Sequence, residues 1–516
     1  METTGANPTF AAAAGTPYAA EAAAETYRAG GNAADAAVAA AAAVAVTEPL
    51  LSSIGGGGFA LVRDPSGGAE LIDYYDAMPG KGLPASAFGA GGSPQTVVLK
   101  YGAGIRSIVG GASSAVPGSL RGWEKLLARH GRLSLKETLA PAIMLARGGF
   151  ELCRTAALWF GVAEEVLRLT DETRKHFYKG ERVYREGEAM RFPELADTLE
   201  AIGSGGVGLF YEGELARTIS AYMLQMGGII TEEDLASYEA VVREPMSVTY
   251  GAGAMYTNGP PSAGGPTLAQ MLKVVSAYEL AVMPEAEYVK VMTGAMKLAL
   301  SDRETAYLDV EENGRVAERL TGEEYAAEQR RRIFSAFGSP HTTHLSCVDS
   351  EGLAVSITAS MGYGSGLVVP TTGIPMNNTL GEPELNPRGF HALAPGERLI
   401  SNMSPTVVSA EEGSVIALGS PGASRIPTAI LQTVINVLDF GMTLEEAVLA
   451  PRFHAEGDLF AYEVGAHTAN LDDYERVLTY ESPNMFFGGV NAVRRTPDGR
   501  FEAAADPRRS GGTAFV

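Results

Sequence analysis

The spacing of apolar positions changes character along this chain, and each change marks a different kind of element. Near the start, Thr16 precedes Pro17 and an alanine-rich run that ends at Gly30-Gly31; Asn32 then precedes a second such run, with Asp35 three residues on. A hydroxyl or amide before the run, proline at its first position, an acid in the first turn and glycine behind it predict two capped helices. Their small side chains let the pair pack closely against something flat. Further on, Thr47 to Ile54 leads to four glycines, Gly55 to Gly58, and then to Phe59-Ala60-Leu61-Val62. That short apolar run reads as a strand, and the glycines before it imply close approach of other backbone.

From about Trp123 to Leu308 the period is helical, clearest over Trp123 to Arg129, Leu195 to Ile202, Thr267 to Leu280 and Glu285 to Leu308, with Gly/Pro-rich joints such as Asn258 to Gly265. The charged stretch Glu323 to Arg332, running on to Phe337-Gly338-Ser339-Pro340, reads as an exposed connector. Beyond it the period drops to two. His344 to Val348 and Ala354 to Ser360 alternate around Asp349-Ser350-Glu351-Gly352, which predicts a β-hairpin with one buried face. Val407-Val408 and Val415 to Leu418 add strands, and Pro427 to Asp439 forms a helix stopped near Gly441. Strand pairs covered by helices predict a layered α/β sandwich. Arg425 and Asp439 read as members of structural ion pairs.

Composition narrows the functions. Among 516 residues, Lys+Arg 40 stand against Asp+Glu 61, a net charge of −21 spread along the chain, and 46% are hydrophobic. That is enough apolar material for a large core, and it lacks the basic stripe that nucleic acid requires. Cys153 and Cys347 lie far apart and match no metal spacing, so neither a disulfide framework, a zinc site nor any other cofactor is expected. The glycine tetrad is not followed by Gly-Lys-Ser/Thr, which argues for packing rather than phosphate binding. The first eight residues lack a basic start, and Ala36 to Val46 is too short to span a bilayer. The expectation is a soluble, cytoplasmic protein with no membrane partner.

The chemistry concentrates in Ser339-Pro340-His341-Thr342-Thr343-His344, where the connector meets the first strand of the last third. A threonine there becomes a nucleophile when the peptide bond before it is cut. Its freed α-amine, with an ordinary pKa of about 7.7–8.0, then serves as the base. One residue supplies both catalytic groups. Alternation is expected to turn His344 away, in a structural role.

Several stretches in order resemble the γ-glutamyltranspeptidase family of N-terminal-nucleophile hydrolases. They are Gly30 to Ala37, the Gly55 to Gly58 tetrad, Val116-Pro117-Gly118, Pro141-Ala142-Ile143, Gly227 to Thr231 with Asp234-Leu235, Pro260-Pro261-Ser262 and Thr342-Thr343-His344. Met403-Ser404-Pro405-Thr406, Gly419-Ser420-Pro421-Gly422 and Ala450 to His454 complete the series. The resemblance implies a four-layer αββα sandwich made as a precursor that cuts itself between His341 and Thr342. Residues 1–341 and 342–516 would remain together as a heterodimer within one intertwined fold. It also implies that Ser360 hydrogen-bonds the nucleophile and that Gly422-Ala423, where the family has two glycines, keeps the two N–H donors of an oxyanion hole.

The likeness breaks where the substrate is held. The family's arginine for the substrate α-carboxylate aligns with Tyr75, in Asp73-Tyr74-Tyr75-Asp76, and a neutral phenol cannot make the charge-assisted pair that guanidinium makes. The segment that holds the α-amino group reads Asn377-Asn378-Thr379-Leu380-Gly381-Glu382; it keeps Asn378 and offers Glu382, but replaces an amide by Thr379. Of two expected serines, Ser401 stands and Asn402 replaces the other. The sequence therefore predicts acyl transfer to water from a small amide or related carbonyl substrate that is not a standard γ-glutamyl donor. Its rivals are carbon–carbon bond hydrolysis in making alkylated proline units, true γ-glutamyl transfer, and a non-catalytic scaffold.

Overall fold

The computed structural model describes residues 7–89, 94–101, 104–251, 253–306, 313–329 and 342–516. The two opening helices form as the caps require. Thr16 accepts the Ala19 N–H ahead of helix Pro17–Arg28, and Asn32 and Asp35 close a reciprocal capping box on helix Ala33–Thr47. Every side chain of the second helix is buried, which only a run of small residues permits when both sides are covered.

Two antiparallel sheets carry the fold. The first has seven strands in the order Val241–Arg243, Ala69–Tyr74, Gly57–Arg63, Ala354–Ser360, Thr343–Asp349, Phe10–Ala14, Gly512–Phe515. The second runs Met246–Tyr250, Gly253–Thr257, Thr406–Ser409, Val415–Gly419, Asn491–Arg495, Phe501–Ala505. Three apolar interfaces stack across them. Leu345, Cys347, Val355 and Ile357 face the alanine helices; Val348 and Ala354 meet Val407, Val415 and Ala417 between the sheets. On the far side, Val408, Ile416 and Leu418 are covered by helices Gly264–Val275, Glu285–Ala306 and Arg425–Leu438.

This stacking corrects one expectation. The hairpin at 343–360 has two buried faces rather than one, because its polar positions point at the second sheet and are hydrogen-bonded there. Ser356 Oγ donates to Leu418 O at 3.0 Å, and Ser346 Oγ donates to Asn491 O at 3.2 Å. Alternation marked a polar face, and the partner sheet made that face dry.

The connector is also corrected in part. Glu323–Gln329 is a helix, and Tyr325 donates to Asp302 at 2.9 Å, tying it to the long helix Glu285–Ala306. The rest of that stretch, with Ser339, Pro340 and His341, lies outside the described residues. Asp439 accepts from Tyr250 Oη at 2.7 Å, and the Arg425 guanidinium lies 4.7 Å over the Phe486 ring. Among the described residues no helix is long and apolar enough to cross a membrane.

Candidate active site

Strand register brings the first two hydroxyls level. Thr343 pairs with Ala359, so Thr342, one residue earlier, comes opposite Ser360, which pairs in turn with Gly57 on the next strand. Thr343 turns to the helical side, where its Oγ1 donates to Glu48 Oε2 at 2.7 Å. Alternation leaves Thr342 for the opposite side. There it is 4% exposed and shares a small cavity with Tyr75, Ser360, Glu382, Glu384, Ser401 and Asn402. Ser360 Oγ also accepts the Gly362 N–H at 2.9 Å, which anchors the loop leaving the strand.

The glycine tetrad is the reason these strands can close so tightly. A Cβ on Gly56 would sit 2.4 Å from Ser360 O, and one on Gly58 2.4 Å from Thr358 O. No side chain fits there. Glycine at 419 has the same logic, since its Cβ would fall 2.4 Å from the His344 ring. His344 therefore lies on the same side of its strand as Thr342, against the expectation that alternation turns it away. It is nonetheless engaged elsewhere: Nδ1 meets Thr358 Oγ1 at 2.8 Å and Nε2 meets Ser346 Oγ at 3.0 Å. Burial pushes its pKa down to about 3, so the ring stays neutral.

Because Gly419 packs on His344, the loop after strand Val415–Gly419 leaves the second sheet at the end where Thr342 stands. In that loop Gly422 has φ 125° and Ala423 has φ 58°. An alanine in the left-handed region is rare and sits there at a cost. Among the described residues neither N–H of this pair meets an acceptor, leaving two donors side by side.

The lining of the Thr342 cavity is made of side chains. Tyr75 stacks on Phe59 with ring centroids 5.5 Å apart, and its phenol meets the Ser401 hydroxyl. Burial, with Asp76 and Glu382 close by, holds that phenol well above its usual range. Glu382 is likewise pushed far up by burial, then by Glu384 and Asp76, and its Oε1 is buried without a hydrogen bond. Asp76 is raised to about 7 by burial, although Thr379 Oγ1 donates to its Oδ2 at 2.5 Å and Arg398 pulls the other way. At neutral pH this wall carries fewer charges than its carboxyls suggest.

The sequence-derived candidates divide accordingly. Thr342, Ser360, Tyr75, Glu382, Ser401 and Asn402 line one cavity. Gly422 and Ala423 are not among its lining residues, and neither is Asn378. Its Oδ1 accepts the Tyr363 N–H at 2.7 Å and its Nδ2 donates to Ser107 Oγ at 2.8 Å, so it holds the cavity's loops from behind. Sequence reasoning missed Glu384 as a cavity charge, the buried Asp76 beside Tyr75, and Arg303, whose Nη1 donates to Asn402 Oδ1 at 3.3 Å. Glu384 and Asp76 stand within two residues of Glu382 and Tyr75, which the sequence did single out, whereas Arg303 comes from a distant segment.

Outside this cavity, Glu172, His176 and Glu194 group as metal ligands might. His176 Nε2 lies 3.2 Å from Glu172 and 3.3 Å from Glu194. Lys175 already contacts both carboxylates and supplies the positive charge.

Comparison with known proteins now places the chain. A profile of the family described as Gamma-glutamyltranspeptidase matches residues 19–516, and the chain belongs to that family. It is 31% identical to a glutathione hydrolase proenzyme of Escherichia coli K12, over 95% of this chain and 89% of that one. It is 32% identical to the acylase ACY 1 proenzyme of Pseudomonas sp. V22, over 96% and 91%. Among solved structures, the cephalosporin acylase of Bacillus halodurans superposes with a TM-score of 0.84 at 29% identity, covering 100% of this chain and 97% of that one.

Proposed function

We propose that this protein is a self-processing hydrolase with Thr342 as its nucleophile, within the four-layer αββα arrangement of N-terminal-nucleophile enzymes. It transfers the acyl group of a small amide to water, and the acyl group is not a standard γ-glutamyl unit. In the precursor the Thr342 hydroxyl attacks the carbonyl of His341. The acyl group moves from nitrogen to oxygen, and water hydrolyses the ester, leaving residues 1–341 and 342–516 associated.

In the processed enzyme the free α-amine of Thr342 takes the proton from its own hydroxyl as the oxygen attacks the substrate carbonyl. The developing oxyanion is received by the Gly422 and Ala423 N–H groups. Collapse expels the amine, which leaves with that proton. Water, deprotonated by the same α-amine, then cleaves the ester and releases the acid. Ser360 holds the nucleophile, while Tyr75, Glu382, Ser401 and Asn402 surround the acyl group.

The observation that carries the substrate reading is Tyr75. A buried neutral phenol stands where a γ-glutamyl enzyme presents guanidinium, and the carboxyls beside it are pushed toward their neutral forms. Relatives named as acylases, 32% identical against 31% for one named glutathione hydrolase, support the broader amidase reading. The test is to sequence the small fragment and measure turnover of γ-glutamyl p-nitroanilide. The fragment is expected to begin at Thr342, with turnover about 100-fold or more below that of a true transpeptidase, as loss of a bidentate charged pair implies. Equal turnover would refute the substrate reading, and an uncut chain of 54.0 kDa would refute the hydrolase.

A further inference from the structure

A second cleft holds about 330 Å³ and shares no lining residue with the Thr342 cavity. Tyr238, which lines it, donates its Oη to Tyr75 O at 2.7 Å, so the cleft backs onto the chain from which Tyr75 reaches the other cavity. Three cations line it: Lys81, Arg243 and Arg398. Arg243 ends the edge strand Val241–Arg243 of the first sheet. Arg398 lies 4.4 Å over the Tyr238 ring, with its Nη2 donating to Glu239 O.

Their anionic partners are few. Among the described residues, Asp73 is the one carboxylate within ion-pairing distance of any of the three, 2.7 Å from Arg243 Nε and 3.5 Å from Arg398 Nε. Lys81 Nζ donates to Ser237 Oγ at 2.5 Å. Asp234 also lines the cleft, but its oxygens accept the backbone N–H of Gly80 at 2.7 Å and of Lys81 at 3.0 Å. Glu239 is exposed. Both Nη groups of Arg243, the Nη1 of Arg398 and two N–H of Lys81 therefore keep no acceptor among the described residues. In a chain of net charge −21, three cations gather at one cleft. Charges of one sign that line a cleft concentrate ligands of the other.

The donor set selects the anion. Guanidinium offers parallel N–H groups that match phosphate oxygens, and an ammonium adds a point charge. A phosphate monoester is close to doubly charged at neutral pH, since its second pKa is about 6, whereas a carboxylate carries one charge. Met78, Val116 and Val241 supply apolar lining beside the cations, and the volume lies at the small end of the range of organic ligand sites. We infer that this cleft binds the phosphate monoester of a small organic molecule, with Arg243, Arg398 and Lys81 on the phosphoryl oxygens and the organic part against Met78, Val116 and Val241. The inference is independent of the hydrolase reading, because no residue of the Thr342 cavity takes part.

The test titrates phenyl phosphate, inorganic phosphate and benzoate into the full chain by calorimetry at one ionic strength, with melting temperature followed in parallel. Phenyl phosphate is expected to bind wild type at least about tenfold more tightly than benzoate, for the second charge, and than inorganic phosphate, for the buried ring. Lys81→Met leaves the Asp73 pairs untouched and should weaken phenyl phosphate about tenfold, while Lys81→Arg should keep most of the affinity. Arg243→Gln should weaken it further, although Asp73 then loses a partner and the fold its stability, so the lysine variants carry the decision. Arg28→Met, which removes one exposed charge elsewhere, should bind as wild type does. Absence of binding by phenyl phosphate overturns the inference, as does a Lys81→Met variant that binds like wild type or an Arg28→Met variant that is weakened equally. Benzoate binding as tightly as phenyl phosphate would make the site one for carboxylates, and inorganic phosphate binding as tightly would make it one for the free ion; either result overturns the class of ligand assigned.

Discussion

The two walls of the Thr342 cavity are built from different materials. On the reacting side the geometry comes from backbone: the 343–359 register and the glycines against which strand Ala354–Ser360 closes, together with the part proposed for the Gly422-Ala423 turn, whose N–H groups meet no acceptor among the described residues. On the recognising side it comes from side chains, Tyr75, Glu382, Ser401 and Asn402, carried on loops and strand ends. Backbone geometry tolerates few replacements because a single Cβ at Gly56 or Gly58 collides with a carbonyl. Side chains on a loop can be exchanged singly without moving a strand. A chain can therefore keep its reaction while changing what it acts upon, which is the pattern that the roles proposed for Gly422-Ala423 and Tyr75 describe.

The largest expected effect separates the walls outright. Thr342→Ala removes the nucleophile but not the cavity, so the chain should remain one uncut polypeptide, with turnover lower by on the order of 10⁴–10⁶-fold. Thr343→Ala loses only the hydrogen bond to Glu48 and should retain measurable processing. Intact mass of the two purified variants reads both outcomes. The reverse pattern would move the nucleophile by one residue and break the register argument.

The next effect lies beneath the reacting wall and depends on pH. Burial raises the Glu48 carboxyl from an ordinary 4.5 to about 7, against the pull of Thr343 and Arg509. Between those values the folded chain keeps a proton that the unfolded chain has lost. Stability therefore falls as pH rises from about 4.5 to about 7, by on the order of 3 kcal/mol at most. Glu48→Gln still accepts from Thr343 but cannot ionise. In urea melts it should gain on wild type steadily across that window and hold the full advantage at pH 8. Parallel curves for the two proteins would show that Glu48 is not the group responsible.

How much of this was legible in the sequence follows the same division. The helix caps at Thr16 and Asn32 and the close approach at Gly55 to Gly58 are local patterns with local causes, and the structure has them where they were read. The hairpin was legible in position but not in burial. Ser346, Ser356 and Thr358 read as a solvent face; the second sheet, from residues 246–505, satisfies Ser346 and Ser356, and Thr358 pairs with His344 of its own sheet. Arg303 gave no signal, because a lone charge on a helix reads as surface until the fold shows what covers it, while Asp76 and Glu384 were passed over beside Tyr75 and Glu382. Asn378 gave a misleading one: its place in an aligned segment suggested substrate contact, while its amide is used up by Tyr363 and Ser107.

The smallest effect tests whether the backbone wall is as fixed as it looks. Ala423 holds φ 58° where glycine would be unstrained. Replacing it with glycine should relieve about 1–2 kcal/mol of left-handed strain. The unfolded chain gains freedom worth about 0.4–1 kcal/mol in the opposite sense. The net expectation for Ala423→Gly is a gain of roughly 0.5–1 kcal/mol, seen as a small rise in denaturation midpoint with kcat unchanged. A fall in stability would mean that the alanine methyl, 1% exposed in this turn, packs well enough to outweigh its own strain. In that case the wall would owe part of its shape to a side chain, and the contrast drawn between the two walls would be one of degree.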